Sequence, residues 1–261
     1  MTVQIENRDN GIQIVRLTGA SASKSFSRES LPIIADAIDK GLKNPEVKGM
    51  VITGEGKFFS AGADINAFQE SIESNEAPQL IRDLTNILHP LLMRIRESAT
   101  IVVAAINGAA AGGGLGLALA CDARIASPKA KLAASYASIG LSPDGGTTWL
   151  LPRLVGEQRS RHFFFENQIW NAEDSANAGA IDEVVNEDEL INRSIEIATN
   201  WSQWGNHFRE ATKHLLYVQT LNDFDTHLKH EQTLIEAAGT TMEFRNGVQK
   251  FLNHKHSPMD G

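Results

Sequence analysis

The residues best suited to chemistry fall in three stretches, two of small residues and one built around a carboxylate. In the first, Ile101-Val102-Val103-Ala104-Ala105-Ile106 leads into Asn107-Gly108, and Gly112-Gly113-Gly114 follows soon after. A buried strand that gives way to a helix at three glycines exposes main-chain N–H groups, and the helix dipole favours negative charge there. A dinucleotide fingerprint is not met. No glycine stands three residues after Gly114 or Gly116, and no acidic residue lies about twenty positions on to hold a ribose. The triplet therefore either forms an anion hole for a developing enolate or simply lets a small-residue helix pack tightly. The second stretch, within residues 57–65, is Ser60-Ala61-Gly62-Ala63-Asp64. The third, residues 136–153, opens with Tyr136, holds Pro143-Asp144-Gly145-Gly146, and closes on Trp149 and Arg153. Pro-Asp-Gly-Gly alone is a good turn with a structural aspartate. A carboxylate needs partial desolvation to be a useful base, and Ile139, Leu141 and Trp149 are the apolar neighbours that could provide it for Asp144.

Other candidates are weaker. His89 follows a helical apolar pattern and precedes Pro90, which suits helix packing or pocket lining better than acid–base work. His254 and His256 flank Lys255 without carboxylate or thiolate partners at ligand spacing, so no metal site is expected. Cys121 is the single cysteine. It cannot form an internal disulfide, and it lacks an activating histidine.

The elements that must hold these residues are legible in part. Val3 and Ile5, a turn at Asp9-Asn10-Gly11, and Ile12, Ile14 and Leu17 predict a hairpin. Helices are predicted over 28–44 and 77–97 from apolar residues at helical spacing, and strands over 50–53 and 101–106, the latter apolar on both faces. A small-residue helix over 113–121, a strand over 123–126 and a helix over 147–154 continue the alternation. After residue 186 the pattern is helical to the end. The expected division is an α/β core over 1–186 that carries the site and a helical region over 187–261.

The bulk numbers exclude several classes. The chain has 261 residues, enough for a substantial core, and its 42% hydrophobic and 21% charged residues are ordinary for a globular protein. A net charge of −8 without a basic stripe argues against nucleic acid and anionic membranes as partners. No apolar run is long enough for a bilayer span, and residues 1–6 carry neither a basic start nor an apolar signal core. A cytoplasmic protein is expected.

Taken in order, Ser60-Ala61-Gly62-Ala63-Asp64 and then Asn107-Gly108-x-Ala110-x-Gly112-Gly113-Gly114 resemble the enoyl-CoA hydratase/isomerase (crotonase) family, with similar elements over nearly the whole chain. The resemblance implies a spiral of ββα units with an all-helical C-terminal trimerisation region that closes the site. The assembly would be a homotrimer or a dimer of trimers. The substrate would be an acyl-CoA thioester; coenzyme A enters as part of it, and no cofactor is bound permanently. The resemblance also implies an oxyanion hole made of the Ala63 and Gly113 main-chain amides. Substrate-binding positions would be Ser25, Ala61, Asp64, Ile65, His89, Gly112, Tyr136, Leu141 and Lys255. Ser25 belongs to an adenine-holding loop, and Lys255 is either a phosphate partner or a solvated charge.

The family's hydratases use two glutamates, and the matching positions here are Gly116 and Tyr136. Water addition by that route is not expected. The segment Gly140-Leu141-Ser142-Pro143-Asp144-Gly145-Gly146 resembles the branch of 1,2-epoxyphenylacetyl-CoA isomerases of phenylacetate degradation, whose catalytic aspartate matches Asp144. The expected activity is therefore an isomerase that shifts a double bond, or rearranges a ring epoxide, in a coenzyme A thioester. The rivals are an aryl-CoA dehalogenase or hydrolase with Asp144 as nucleophile, a hydratase-like enzyme, and a non-catalytic acyl-CoA binder.

Overall fold

The computed structural model describes residues 2–19 and 26–255, and their side chains as far as Asn253. The chain forms two compact units, one ending at Gln203 and one beginning at Trp204. In the first, strands β1 (Val3–Arg8) and β2 (Ile12–Leu17) form the expected antiparallel hairpin, turned at Asn10 with φ 69°. Helix α1 (Ser30–Lys43) buries Leu31, Ile34 and Ile38, residues spaced for one helical face. Strand β3 (Gly49–Thr53) lies parallel to β2.

From β3 onward a unit repeats: a buried strand, a very short strand, then helix. β3 is followed by β4 (Phe58–Ser60), α2 (Ile65–Glu73) and α3 (Ala77–Glu97). Next come β5 (Ile101–Ile106), β6 (Ala109–Ala111) and α4 (Gly113–Ala120). The third turn is β7 (Ala123–Ala126), β8 (Lys131–Ala133) and α5 (Thr147–Val155). Then α6 (Glu157–Phe165), β9 (Ile169–Asn171), α7 (Ala172–Ala178), β10 (Glu183–Val184) and α8 (Leu190–Ser202) complete the unit. One sheet has the order β1-β2-β3-β5-β7-β10 and is parallel beyond the first hairpin, and a second, made of three-residue strands, has the order β4-β6-β8-β9. This is the expected spiral of ββα units.

Every residue of β5 is buried, as its two-faced apolar run predicts, because it lies between β3 and β7 and both faces are covered. α3 directs Leu84, Leu88, Leu91 and Ile95 into the core. Each leucine so buried contributes about 2 kcal/mol. The compact unit extends past residue 186 to Gln203 because α8 packs on β3 and β5. The second unit holds α9 (Asn206–Val218), α10 (Phe224–Ala238) and α11 (Met242–Lys255). Among the described residues no helix is long and apolar enough to cross a membrane.

Candidate active site

β4 and β6 are parallel neighbours, so the segments that leave their carboxyl ends emerge side by side. The first carries Ala63. Phe26 N–H donates to Gly62 O (3.1 Å) and Asp64 N–H donates to Phe26 O (3.4 Å). This one-rung parallel bridge uses the groups flanking Ala63 and turns the Ala63 N–H to the other side. Gly62 makes the approach possible: its φ is +79°, and a Cβ there would lie 2.7 Å from Ala111 O and 3.4 Å from Gly113 N.

The second segment carries Gly113, the first residue of α4, whose N–H has no partner within the helix. A Cβ on Gly113 would meet the Phe26 ring at 2.6 Å. Neither the Ala63 nor the Gly113 amide has an acceptor among the described residues. Both residues line one cavity of about 510 Å³ whose other walls include Phe68, Leu84, Leu88 and Leu141. Two unpaired N–H groups in an apolar wall can stabilise an oxyanion.

Asp144 lines the same cavity. Its carboxylate is about one-third exposed, at 35%. The Tyr136 hydroxyl donates to Asp144 Oδ1 (2.9 Å) and to the Asp144 carbonyl (3.1 Å). The same carbonyl accepts from Thr147 N–H (3.2 Å) and from Thr147 Oγ1 (2.9 Å), so the turn is held from two elements. His89 Nε2 lies 3.6 Å from Oδ2. Burial first, and then the charge of Asp144, pushes the Tyr136 pKa far above its ordinary value of 10.0. Tyr136 therefore acts as a neutral donor, and it orients the carboxylate.

The cavity brings together Ala61, Ala63, Ile65, Gly112, Gly113, Tyr136, Leu141 and Asp144 of the predicted set. Asp64 is placed differently. Its Oδ1 accepts from Asn66 N–H (2.9 Å) and caps α2, and the residue borders a neighbouring polar cavity with Ser27 and Arg28. His89 is not a packing residue: its side chain is half exposed and faces Asp144. Trp149, expected to shield Asp144, instead lies under the Arg153 guanidinium, 3.4 Å from the ring centroid, and does not border the cavity. Ser25 and the Lys255 side chain lie outside the described residues. Cys121 is buried, with its thiol directed at Leu117 O. Among the described residues no three metal-ligating side chains cluster.

The Tyr136–Asp144–His89 arrangement was not legible, because β5, β6, α4, β7 and β8 separate α3 from Tyr136 in the chain.

Residues 7–260 match the family model described as enoyl-CoA hydratase/isomerase. The 1,2-epoxyphenylacetyl-CoA isomerase of Escherichia coli (strain K12) is 29% identical over 251 residues, 96% of this chain and 95% of that protein. A probable enoyl-CoA hydratase of Mycobacterium tuberculosis is 33% identical over 190 residues, 73% of this chain and 72% of that one. Among solved structures, a putative enoyl-CoA hydratase/isomerase from Mycobacterium abscessus superposes with a TM-score of 0.88 at 26% identity, covering 98% of each chain.

Proposed function

Because the chain belongs to the enoyl-CoA hydratase/isomerase family, we propose that it moves a double bond within a coenzyme A thioester, with Asp144 carrying the proton. One observation carries this reading. A single oriented carboxylate and two unpaired amides line one apolar cavity, and among the described residues no second acid lines it. Asp144 takes a proton from the γ carbon of a 2-enoyl thioester. The C–H electron pair moves into the conjugated system and its charge reaches the carbonyl oxygen at Ala63 and Gly113. Asp144 then returns the proton at the α carbon, giving the 3-enoyl thioester, and the reverse reaction follows the same path. The amides act on charge that exists only during the reaction, which is why they accelerate it.

The position that would hold a water-activating glutamate is closed. A Cβ on Gly116 would collide with the Gly145 carbonyl. That supports isomerisation over hydration.

The test is conversion of 3-hexenoyl-CoA to 2-hexenoyl-CoA, followed by absorbance of the conjugated thioester. Asp144→Asn is expected to lower kcat by about 10² to 10⁴ while binding of saturated hexanoyl-CoA stays within a few-fold. Near-normal turnover in that variant removes Asp144 from the mechanism.

A second reading draws support from His89 Nε2, 3.6 Å from Asp144 Oδ2. In it the carboxylate displaces halide from a halobenzoyl-CoA to form an aryl ester. His89 then activates the water that cleaves the ester and restores the carboxylate. Halide release from 4-chlorobenzoyl-CoA without double-bond migration would favour this reading over isomerisation.

A further inference from the structure

Helix α4 does more than present the Gly113 amide. One of its faces is bare at Gly114, where a Cβ would collide with Ser60, the last residue of β4 on the path to Ala63. Another is bare at Gly113 and Gly116, which share a face because they are three apart. Against that face lies Gly145. A Cβ on Gly116 would collide with Gly145 O and would stand 3.1 Å from Gly145 C and Cα. From the other side, a Cβ built on Gly145 would stand 3.6 Å from the α-carbons of both Gly113 and Gly116. Both α4 and the turn from Asp144 to Gly146 thus meet main chain to main chain, with no side chain to adjust between them. The turn itself is tied down through the Asp144 carbonyl by Tyr136 and Thr147.

We infer that Gly116 is a positioning residue for Asp144: its bare α-carbon lets the Gly145 carbonyl dock on α4 and so fixes the carboxylate at the distance from the oxyanion donors that proton transfer needs. The inference rests on the isomerase reading for its chemistry but not for its geometry. A Cβ at Gly116 has backbone in front of it, and backbone cannot yield by a rotamer change. The turn must lift, and Asp144 lifts with it. The Ala63 amide, anchored through β4 and Phe26, and the Gly113 amide, on the helix itself, stay where they are. The substitution therefore separates base from oxyanion hole.

The experiment compares wild type, Gly116→Ala, Asp144→Asn, Asp144→Glu and the double variant Gly116→Ala/Asp144→Glu. The crystal structure of Gly116→Ala is expected to show the Asp144 carboxylate displaced by about 1 Å or more with both amides unmoved, a loss of position of the size that costs about a hundredfold in rate. Turnover of 3-hexenoyl-CoA should accordingly fall by about a hundredfold in kcat, with hexanoyl-CoA binding within about threefold of wild type. Asp144→Glu alone should be slower than wild type. Combined with Gly116→Ala, its extra methylene should restore about tenfold over the single Gly116→Ala variant.

An undisplaced carboxylate in Gly116→Ala overturns the inference whatever the reaction proves to be. Where Asp144→Asn is impaired, so do unchanged kcat in Gly116→Ala and a loss of kcat matched by an equal loss of binding. If Gly116→Ala does not fold, the same displacement and the same kcat-against-binding split are read on Gly145→Ala. Its Cβ has room, but its φ of +60° is one that alanine resists. Normal turnover in Asp144→Asn overturns the isomerase reading alone, because the displacement is still read in the crystal.

Discussion

At the scale of single residues, the site is a contest over one carboxylate. Tyr136 holds Oδ1 with a hydrogen bond of 2.9 Å, and His89 faces Oδ2. A hydrogen bond to an ionised group contributes more than a neutral one, so Tyr136→Phe is expected to lower kcat by about tenfold, with little change in thioester binding. The phenol also links the site to stability. Its folded-state pKa is raised by burial and by Asp144. Its contribution is therefore complete below the unfolded value near 10 and is lost as pH rises above it, because the unfolded chain then releases a proton the folded chain keeps. Between about pH 9 and about pH 11 the wild-type melting temperature should fall more steeply than that of Tyr136→Phe. Parallel slopes would show that the phenol is not protected. Asp144, Ala63 and Gly113, which line one cavity, stood out in the sequence because each sits in a motif of distinctive residue types. The hydroxyl and imidazole around Asp144 were not, since a contact between α3, the loop after β8 and the turn before α5 leaves no local pattern.

At the scale of elements, legibility followed length. α3 and β5 are long enough to show a period, or its absence, and their observed bounds, Ala77–Glu97 and Ile101–Ile106, are those expected. β4, β6 and β8 have three residues each, too few for any alternation to register, and so the second sheet was invisible. Yet it is that sheet which sets Ala63 beside Gly113. Asp64 has a role that its motif did not announce: its carboxylate satisfies an orphan amide at the start of α2. Asp64→Ala should cost about 1 kcal/mol of stability, or about 2–4 °C in melting temperature for a chain of this size. Asp64→Asn, which can still cap, should cost far less. An unchanged melting temperature in Asp64→Ala would mean that the cap contributes nothing.

At the scale of the whole molecule, the helices of the second unit leave Phe224, Ile235, Phe251 and Leu216 exposed, each by more than half. Exposed apolar side chains are what a protein–protein interface would cover. We propose that the chain assembles as the trimer or dimer of trimers that the family resemblance implies, which predicts a sedimentation mass of three or six times the 28.4 kDa chain. A monomer at micromolar concentration would contradict it. The position of α8 shows why the helical run after residue 186 was not one region: α8 belongs to the core because β3 and β5 need a cover on that face. Helical periodicity reveals an apolar face but not what covers it. The proposed mechanism depends on where a thioester carbonyl sits, and a crystal structure with bound 2-hexenoyl-CoA tests that most directly. It should place the carbonyl oxygen within about 3.1 Å of both Ala63 N and Gly113 N and an Asp144 oxygen within about 3.5 Å of the γ or α carbon. A carbonyl bound away from those amides, or a carboxylate turned from the acyl chain, would contradict it.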